Sequence, residues 1–185
     1  RRVQRKIRKT ALEPFEVARL FERLQQDQAD DVFYAGTVVH FYFGARPIEL
    51  AKFIANAKIN WNACEMIILT AKTHNERYLS WHPRLTPYLK TWYEHAPYPY
   101  PSEWLTKRIH IYRAGDLVIT AKVARKTVQT QMRLSGVDDF IIDAILGHES
   151  QTSAIGDVYT DQTLLIPKIR EALGENHYMI KNNII

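Results

Sequence analysis

The sequence predicts an α+β protein that is mainly α-helical and carries one small antiparallel sheet. Two observations support this prediction. Apolar residues recur at helical spacing over several segments, and three short segments between residues 59 and 81 are rich in β-forming residues. The 185 residues, of which 46% are hydrophobic, are enough to bury one core. We therefore expect a helical domain with a three-stranded sheet.

Three helices are expected before the sheet. Apolar side chains at i, i+3, i+4 and i+7 predict an amphipathic helix over 13–26. A more apolar helix is expected over 31–43, with Gly44 as a suitable C-terminal stop. Pro47 favours the first turn of a helix, which predicts a third, short helix over 47–55.

The sheet is expected from three strands that follow one another along the chain. They are Ile59–Trp61, Met66–Thr70 and Tyr78–Trp81. The polar residues 72–76 separate the last two strands and predict a hairpin loop.

The rest of the chain is again helical in pattern. The proline-rich residues 96–101 predict an irregular loop, and the tail after Gly174 alternates poorly and ends apolar. The helices expected here run from Pro87 to about His95, over 103–113 with Ser102 as N-cap, from Thr120 to about Ser135, from Asp138 through Leu146, and from Pro167 to near Gly174.

Composition excludes several classes of protein. With 11% aromatic and 24% charged residues, the chain does not resemble a disordered one. No run of eighteen apolar residues exists, so no membrane span is expected, and the basic start is not followed by the apolar stretch of a secretory signal. A single cysteine, Cys64, fits a reducing, cytoplasmic compartment.

The positive charge is concentrated at the start of the chain. Lys and Arg number 25 against 20 Asp and Glu, but six basic residues and no acid lie within 1–9, so the remainder has 19 basic and 20 acidic residues. Bulk charge is therefore weak evidence for a nucleic-acid partner. The six are Arg1, Arg2, Arg5, Lys6, Arg8 and Lys9.

Four separated segments carry residues suited to phosphate chemistry. Taken singly, each is more simply explained as a surface, capping or core-edge residue, and only their order and spacing as a set are informative. The residues are Arg46 beside a helix N-terminus, Lys72 in the hairpin loop, Lys122 and Arg125 on one helix face, and His148 past a helix end with Tyr159 eleven residues on.

This ordered set resembles the catalytic domain of the tyrosine recombinases, the site-specific integrases of phages and mobile elements. The resemblance covers residues 11 to about 165. The matching segments are Gly44–Leu50 (GARPIEL), Ala71–Thr73 (AKT), Lys122–Arg125 (KVAR), Leu146–His148 (LGH) and Tyr159. Two departures are visible: Lys122 stands where the family usually has His, and the interval from His148 to Tyr159 is about two residues longer than usual.

The resemblance implies a metal-free and cofactor-free strand cleavage. Arg46, Arg125 and His148 would neutralise the scissile phosphate, and arginine keeps its charge at any working pH. Tyr159 would attack the phosphorus and form a 3′-phosphotyrosyl intermediate that stores the bond energy for rejoining without ATP. Lys72 would protonate the leaving 5′ oxygen.

Further roles follow from the same resemblance. Lys122 is either a proton acceptor or only a phosphate contact, and Lys126 beside Arg125 would contact DNA. Residues 1–10 would be a basic arm leading from a missing N-terminal DNA-binding domain, and 11–175 the catalytic domain. The tail, 176–185, either docks on a neighbouring protomer or packs on its own domain.

The implied partner is double-stranded DNA at specific recombination sites, bound by a homotetramer in the cytoplasm of a prokaryote or of a virus-infected host. Three alternatives remain. A topoisomerase IB-like or telomere-resolving enzyme would use the same chemistry without exchanging partners, an inactive DNA-binding module would keep the fold alone, and a helix-turn-helix repressor would use 122–147 but leave the other motifs unexplained.

Overall fold

The computed structural model describes residues 9–69, 76–97, 101–148 and 162–185. Two predicted catalytic residues, Lys72 and Tyr159, lie outside these ranges, and so do five of the six basic residues of the arm. Within the described ranges the protein is mainly helical with a small three-stranded antiparallel sheet, which confirms the predicted fold class.

The elements before residue 97 are as follows: α1 Pro14–Gln26, α2 Asp31–Phe43, α3 Pro47–Asn56, β1 Lys58–Asn60, β2 Glu65–Leu69, β3 Glu76–Ser80, a 3-10 turn Pro83–Leu85, and α4 Thr86–His95. The four helices and three strands predicted for this half are all confirmed to within about two residues. Gly44 ends α2 in the left-handed conformation, with φ of 58°, as expected for a C-terminal glycine.

The elements of the second half are α5 Pro101–Ile109, β4 Arg113–Ala114, β5 Leu117–Val118, α6 Ala121–Leu134, α7 Asp139–Leu146, a 3-10 turn Gln162–Leu165, α8 Ile166–Leu173 and α9 Tyr178–Lys181. Thr120 and Asp138 cap α6 and α7 with their side chains, as the sequence predicts. Gly147 ends α7 with φ of 65°.

The prediction for α5 is wrong at both ends. The helix begins at Pro101, so Ser102 lies inside it, because proline is well suited to a first helical turn. It ends at Ile109 because the chain turns there and forms the two-stranded ribbon β4–β5 around Gly115, whose φ is 59°. The sequence pattern did not predict this ribbon.

The sheet has the order β1-β2-β3 with both pairs antiparallel. Met66 lies opposite Leu79, and Ile68 lies opposite Arg77. These four side chains are buried, so one face of the sheet packs on the core and includes a charged residue.

Helix α2 forms the centre of the core. It packs against α4, α6 and α5, and ten of its thirteen residues are buried. Gly36 allows the close approach of α4, since a Cβ there would lie 2.5 Å from Cε3 of Trp92.

The C-terminal tail packs on its own domain. Tyr178, Met179 and Ile180 are buried, and the Tyr178 hydroxyl donates to the Phe41 carbonyl at 2.9 Å. His177 stacks on Tyr42 with ring centroids 3.9 Å apart. Docking of residues 176–185 on a neighbouring protomer stays a prediction. In the ranges described, no helix is both long and apolar enough to cross a bilayer.

Candidate active site

Arg46 lies at the N-cap of α3, where the sequence places it beside a helix start. Its Nη1 donates to Oε1 of Glu49 at 2.9 Å, and its backbone N–H donates to Oε2 of the same carboxylate at 2.8 Å. Nη1 also donates to the Gly147 carbonyl at 3.3 Å. Because the side chain is 26% exposed, its guanidinium reaches the surface between the start of α3 and the end of α7.

Arg125 joins the ends of two other helices. Its Nη1 donates to the Gly44 carbonyl at 2.8 Å, and its Nη2 donates to the Leu146 carbonyl at 2.7 Å. Carbonyls at helix C-termini lack intrahelical donors and carry partial negative charge. The guanidinium is therefore fixed by two diverging hydrogen bonds that a single ammonium group would not reproduce.

The two arginines are brought together because they bind the backbone carbonyls of neighbouring residues. Arg125 binds the carbonyl of Leu146, and Arg46 binds the carbonyl of Gly147. Burial, and then the positive charge of Arg46, lower the pKa of Arg125 to about 10. It therefore remains protonated at neutral pH, and the site holds two adjacent positive charges.

His148 is the next residue of the chain after Leu146 and Gly147. Its backbone N–H donates to the Asp143 carbonyl at 3.0 Å, and its Nδ1 lies 3.0 Å from the Asp143 Oδ1. Because an ionised carboxylate can only accept, Nδ1 is the donor, which orients the ring and leaves Nε2 for another group. The side chain is one-third exposed.

Three predicted residues are thus brought together, while the others stand apart or outside the described ranges. Lys122 is exposed in the first turn of α6, on the same face as Arg125 by its spacing. Lys126 is exposed and donates to the Gln129 side chain at 3.1 Å, and Lys9 forms an ion pair with Glu16. Lys72, Tyr159, Arg1, Arg2, Arg5, Lys6 and Arg8 lie outside the described residues.

A buried carboxylate supports Arg46 from behind. Glu49 is fully buried, and its Oε2 lies 3.3 Å from Nη2 of Arg77, which is 4% exposed. Burial would raise the pKa of Glu49, but the charge of Arg77 and the hydrogen bonds from Arg46 outweigh it and lower that pKa. The carboxylate is therefore ionised and holds both arginines.

His40, on α2, is a further titratable group near Arg125. It is 1% exposed, and neither ring nitrogen makes a hydrogen bond of ordinary length and angle within the described residues, although the Ala45 backbone is near enough to oppose the lowering of its pKa. Burial, followed by the nearby charge of Arg125, lowers its pKa to about 4. It therefore adds no positive charge at neutral pH.

Three residues of this site were not predicted from the sequence: Arg77, Asp143 and His40. Arg77 directly precedes the predicted strand Tyr78–Trp81 and lies two residues before Leu79, so only the longer observed strand β3 places it on the inward face, where charge is unusual. His40 and Asp143 lie inside helical patterns that give no signal of a site.

The arrangement can hold an anion and donate hydrogen bonds to it. Two guanidiniums and an imidazole from three different helices lie on one surface, and each is held by a carbonyl or a carboxylate. Within the described ranges, no group of three or more His, Cys, Asp or Glu side chains is placed to bind a metal ion.

Comparison with known proteins identifies the fold. A scan against protein-family models finds no match, and neither does a search of curated proteins. Two solved structures are similar. The XerA recombinase has a TM-score of 0.62 and 19% identity over 90% of this chain and 66% of its own. The integrase from mycobacterium phage Brujita has a TM-score of 0.62 and 21% identity over 92% of this chain and 60% of its own.

The chain thus spans just under two thirds of the first structure and less of the second. Both matches extend over about nine tenths of this chain. The chain therefore has the tyrosine recombinase fold, as the resemblance of its sequence predicts.

Proposed function

We propose that this chain is the catalytic domain of a site-specific tyrosine recombinase, which cuts DNA through a phosphotyrosyl intermediate and rejoins it without metal or ATP. The observation that carries this proposal is the convergence of Arg46 and Arg125 on the carbonyls of Gly147 and Leu146, next to His148. The names of the two similar structures, a recombinase and a phage integrase, agree with it.

The two arginines bind the scissile phosphate in this proposal. A guanidinium has five N–H groups, and among the described residues Arg125 makes two hydrogen bonds to protein carbonyls, so further donors are left for the non-bridging oxygens. His148 donates from Nε2 when it is protonated, while Asp143 holds its Nδ1. Negative charge that spreads over these oxygens during attack is then neutralised by preorganised donors.

Tyr159 is the nucleophile and Lys72 the general acid. The Tyr159 hydroxyl, with an ordinary pKa near 10, loses its proton as its oxygen bonds to phosphorus. Lys122 accepts that proton or only contacts the phosphate. The bond from phosphorus to the 5′ oxygen breaks, Lys72 protonates the departing oxygen, and a 3′-phosphotyrosyl link remains. A 5′ hydroxyl from a partner strand reverses these steps and completes the exchange.

The proposal extends to the binding of DNA by the whole protein. Residues 1–10 and Lys126 contact phosphates, an N-terminal DNA-binding domain precedes the arm, and four protomers assemble on two recombination sites. Because phosphate contacts release counterions, binding should weaken steeply with salt.

The test compares the native chain with Tyr159→Phe on supercoiled plasmid in excess EDTA, quenched with SDS. We expect relaxation and an SDS-resistant protein–DNA adduct from the native chain only, because phenylalanine has no hydroxyl. Equal retention of plasmid in a filter-binding assay controls for DNA affinity. An adduct that survives in Tyr159→Phe would refute the nucleophile, and relaxation without joining of two different DNAs would favour the nicking-closing alternative.

A further inference from the structure

Arg77 is a buried charge that the proposed chemistry does not use. It is the second residue of β3, 4% exposed, and lies on the face of the sheet that packs on the core. Its Nη2 reaches Glu49 at 3.3 Å, but its Nε and Nη1 have no hydrogen-bond acceptor among the residues that the structure describes.

Stability alone does not explain this residue. A buried guanidinium with unpartnered N–H groups costs folding free energy, and replacing a buried ion pair with apolar side chains is often neutral or stabilising. Its neighbour on the same face is Leu79, and its cross-strand partner is Ile68. An aliphatic side chain would therefore suit this position better.

The charges around Glu49 explain why an arginine is useful at position 77. Glu49 binds Arg46 through both the backbone N–H and the guanidinium, so this carboxylate opposes the charge of Arg46. Arg77 adds a second positive charge on the same carboxylate. Burial is the largest cause that lowers the pKa of Arg125, and the charges of Arg46 and Arg77 lower it further. The three guanidiniums therefore act on one another across the site.

We propose that Arg77 is a positioning residue: by sharing Glu49 with Arg46, it prevents that carboxylate from cancelling the charge that Arg46 presents to the scissile phosphate. This inference rests on the proposed function. Arg77 touches no reacting atom and acts only through Glu49 and Arg46. It also fastens β3, which follows the segment carrying Lys72, to the start of α3.

The proposal predicts that activity follows the summed charge of positions 49 and 77. Arg77→Met makes that sum more negative by one unit and should slow adduct formation on plasmid by about 10- to 100-fold. Arg77→Lys and the double variant Glu49→Gln/Arg77→Met keep the sum at zero, and both should form adduct at a rate within about tenfold of the native rate. Arg170→Met is the matched control, because Arg170 binds Glu65 and Tyr78 on the same sheet away from the site.

Binding of inorganic phosphate supplies a readout without catalysis. Phosphate should raise the melting temperature of the native chain, and the part of this rise that Arg46→Met abolishes reports the site. We expect the apparent affinity for phosphate that this part reports to fall by about tenfold or more in Arg77→Met and to return in the double variant. Should Arg77→Met fail to fold, the double variant, which removes both buried charges at once, should still bind phosphate within about tenfold of the native affinity, and a loss as large as that in Arg46→Met would overturn the proposal.

These outcomes separate the two proposals. A native chain that forms no adduct refutes the proposed function, whatever the phosphate series shows. A native chain that forms adduct, together with a double variant as slow and as weak for phosphate as Arg77→Met, overturns the charge-sharing role of Arg77. So does a series in which rates follow the free energies of unfolding instead of the summed charge.

Discussion

At the scale of single residues, the site depends on side chains that hold two positions at once. Arg125 joins the C-termini of α2 and α7 through Gly44 and Leu146, and Arg46 joins α3 to α7 through Gly147. Each arginine therefore orders the surface on which it would act. A substitution that keeps the positive charge but removes the paired N–H donors of the guanidinium should lower catalysis more than DNA binding.

We expect Arg125→Lys to lower the rate of adduct formation by about 100-fold or more, because one ammonium cannot replace two diverging N–H donors and still face a phosphate. DNA affinity should change little, since the charge remains. Rates on supercoiled plasmid and filter binding would measure the two effects. Arg133→Lys is the matched control, because Arg133 lies near the end of the same helix in an exposed pair with Asp139. Equal losses in both variants would contradict this prediction.

The sequence was informative for residues whose role follows from order along the chain. Arg46, Arg125 and His148 were found as a set because the order and spacing of their segments resemble those of a known family. Arg77 and Asp143 were not found, because their partners, Glu49 and His148, are identified only after the chain has folded. His40 was not found either, because only its burial near Arg125, which a helical sequence pattern does not reveal, makes it notable.

At the scale of elements, the site is made from helix ends. The start of α3, the first turns of α6 and the end of α7 supply the charged groups, and α2 ends beneath them. Long periodic segments and capping residues predicted these helices well. The ribbon β4–β5 and the helix α9 were missed because strands of two residues and a helix of four are too short to show periodicity.

Gly44 tests this dependence on helix ends. Its φ is 58°, and an added Cβ would lie 3.0 Å from Cβ of Val128 and 3.1 Å from Cδ2 of Leu146. We expect Gly44→Ala to lower the free energy of unfolding by about 1–2 kcal/mol from backbone strain alone, and by more through this crowding. Adduct formation should fall as well, because the Gly44 carbonyl holds Arg125. Urea denaturation and the plasmid assay would measure both.

The control for this variant is Gly136→Ala at the end of α6. Gly136 has φ of 79°, but an added Cβ meets no atom within 4 Å. It should therefore show the strain without the crowding and leave adduct formation intact. If both variants lose equal stability and equal activity, crowding at Gly44 is not important.

At the scale of the whole molecule, the neutral side chain of His177 attaches the C-terminal tail to α2. His177 donates from Nε2 to the Tyr42 carbonyl at 3.0 Å and accepts at Nδ1 from the Met179 N–H at 3.3 Å. Both nitrogens are therefore used, and only the neutral ring satisfies both bonds. Burial is the main cause that lowers the pKa of His177 to about 3.

This pKa makes the packing of the tail sensitive to acid. An unfolded histidine has a pKa near 6.5, so below that pH the unfolded chain binds a proton that the folded chain excludes. The stability contributed by His177 is thus fully present above about pH 6.5 and is lost progressively as the pH falls towards 3. The same sign holds for His40, whose pKa is lowered to about 4.

We expect His177→Gln to lower the free energy of unfolding at pH 7.5 by about 1–3 kcal/mol, because it loses the stacked ring and a buried hydrogen bond. Between pH 6 and 4, however, the free energy of unfolding of this variant should fall less steeply with falling pH than that of the native chain. The difference in slope corresponds to about one proton taken up on unfolding, because glutamine does not titrate. Urea titrations at several pH values would measure this slope. Tyr178→Phe is the matched control, since it removes the bond to the Phe41 carbonyl from the same tail but keeps the histidine. It should lower stability at every pH without changing the slope, and equal slopes in His177→Gln and the native chain would show that another group governs the acid sensitivity.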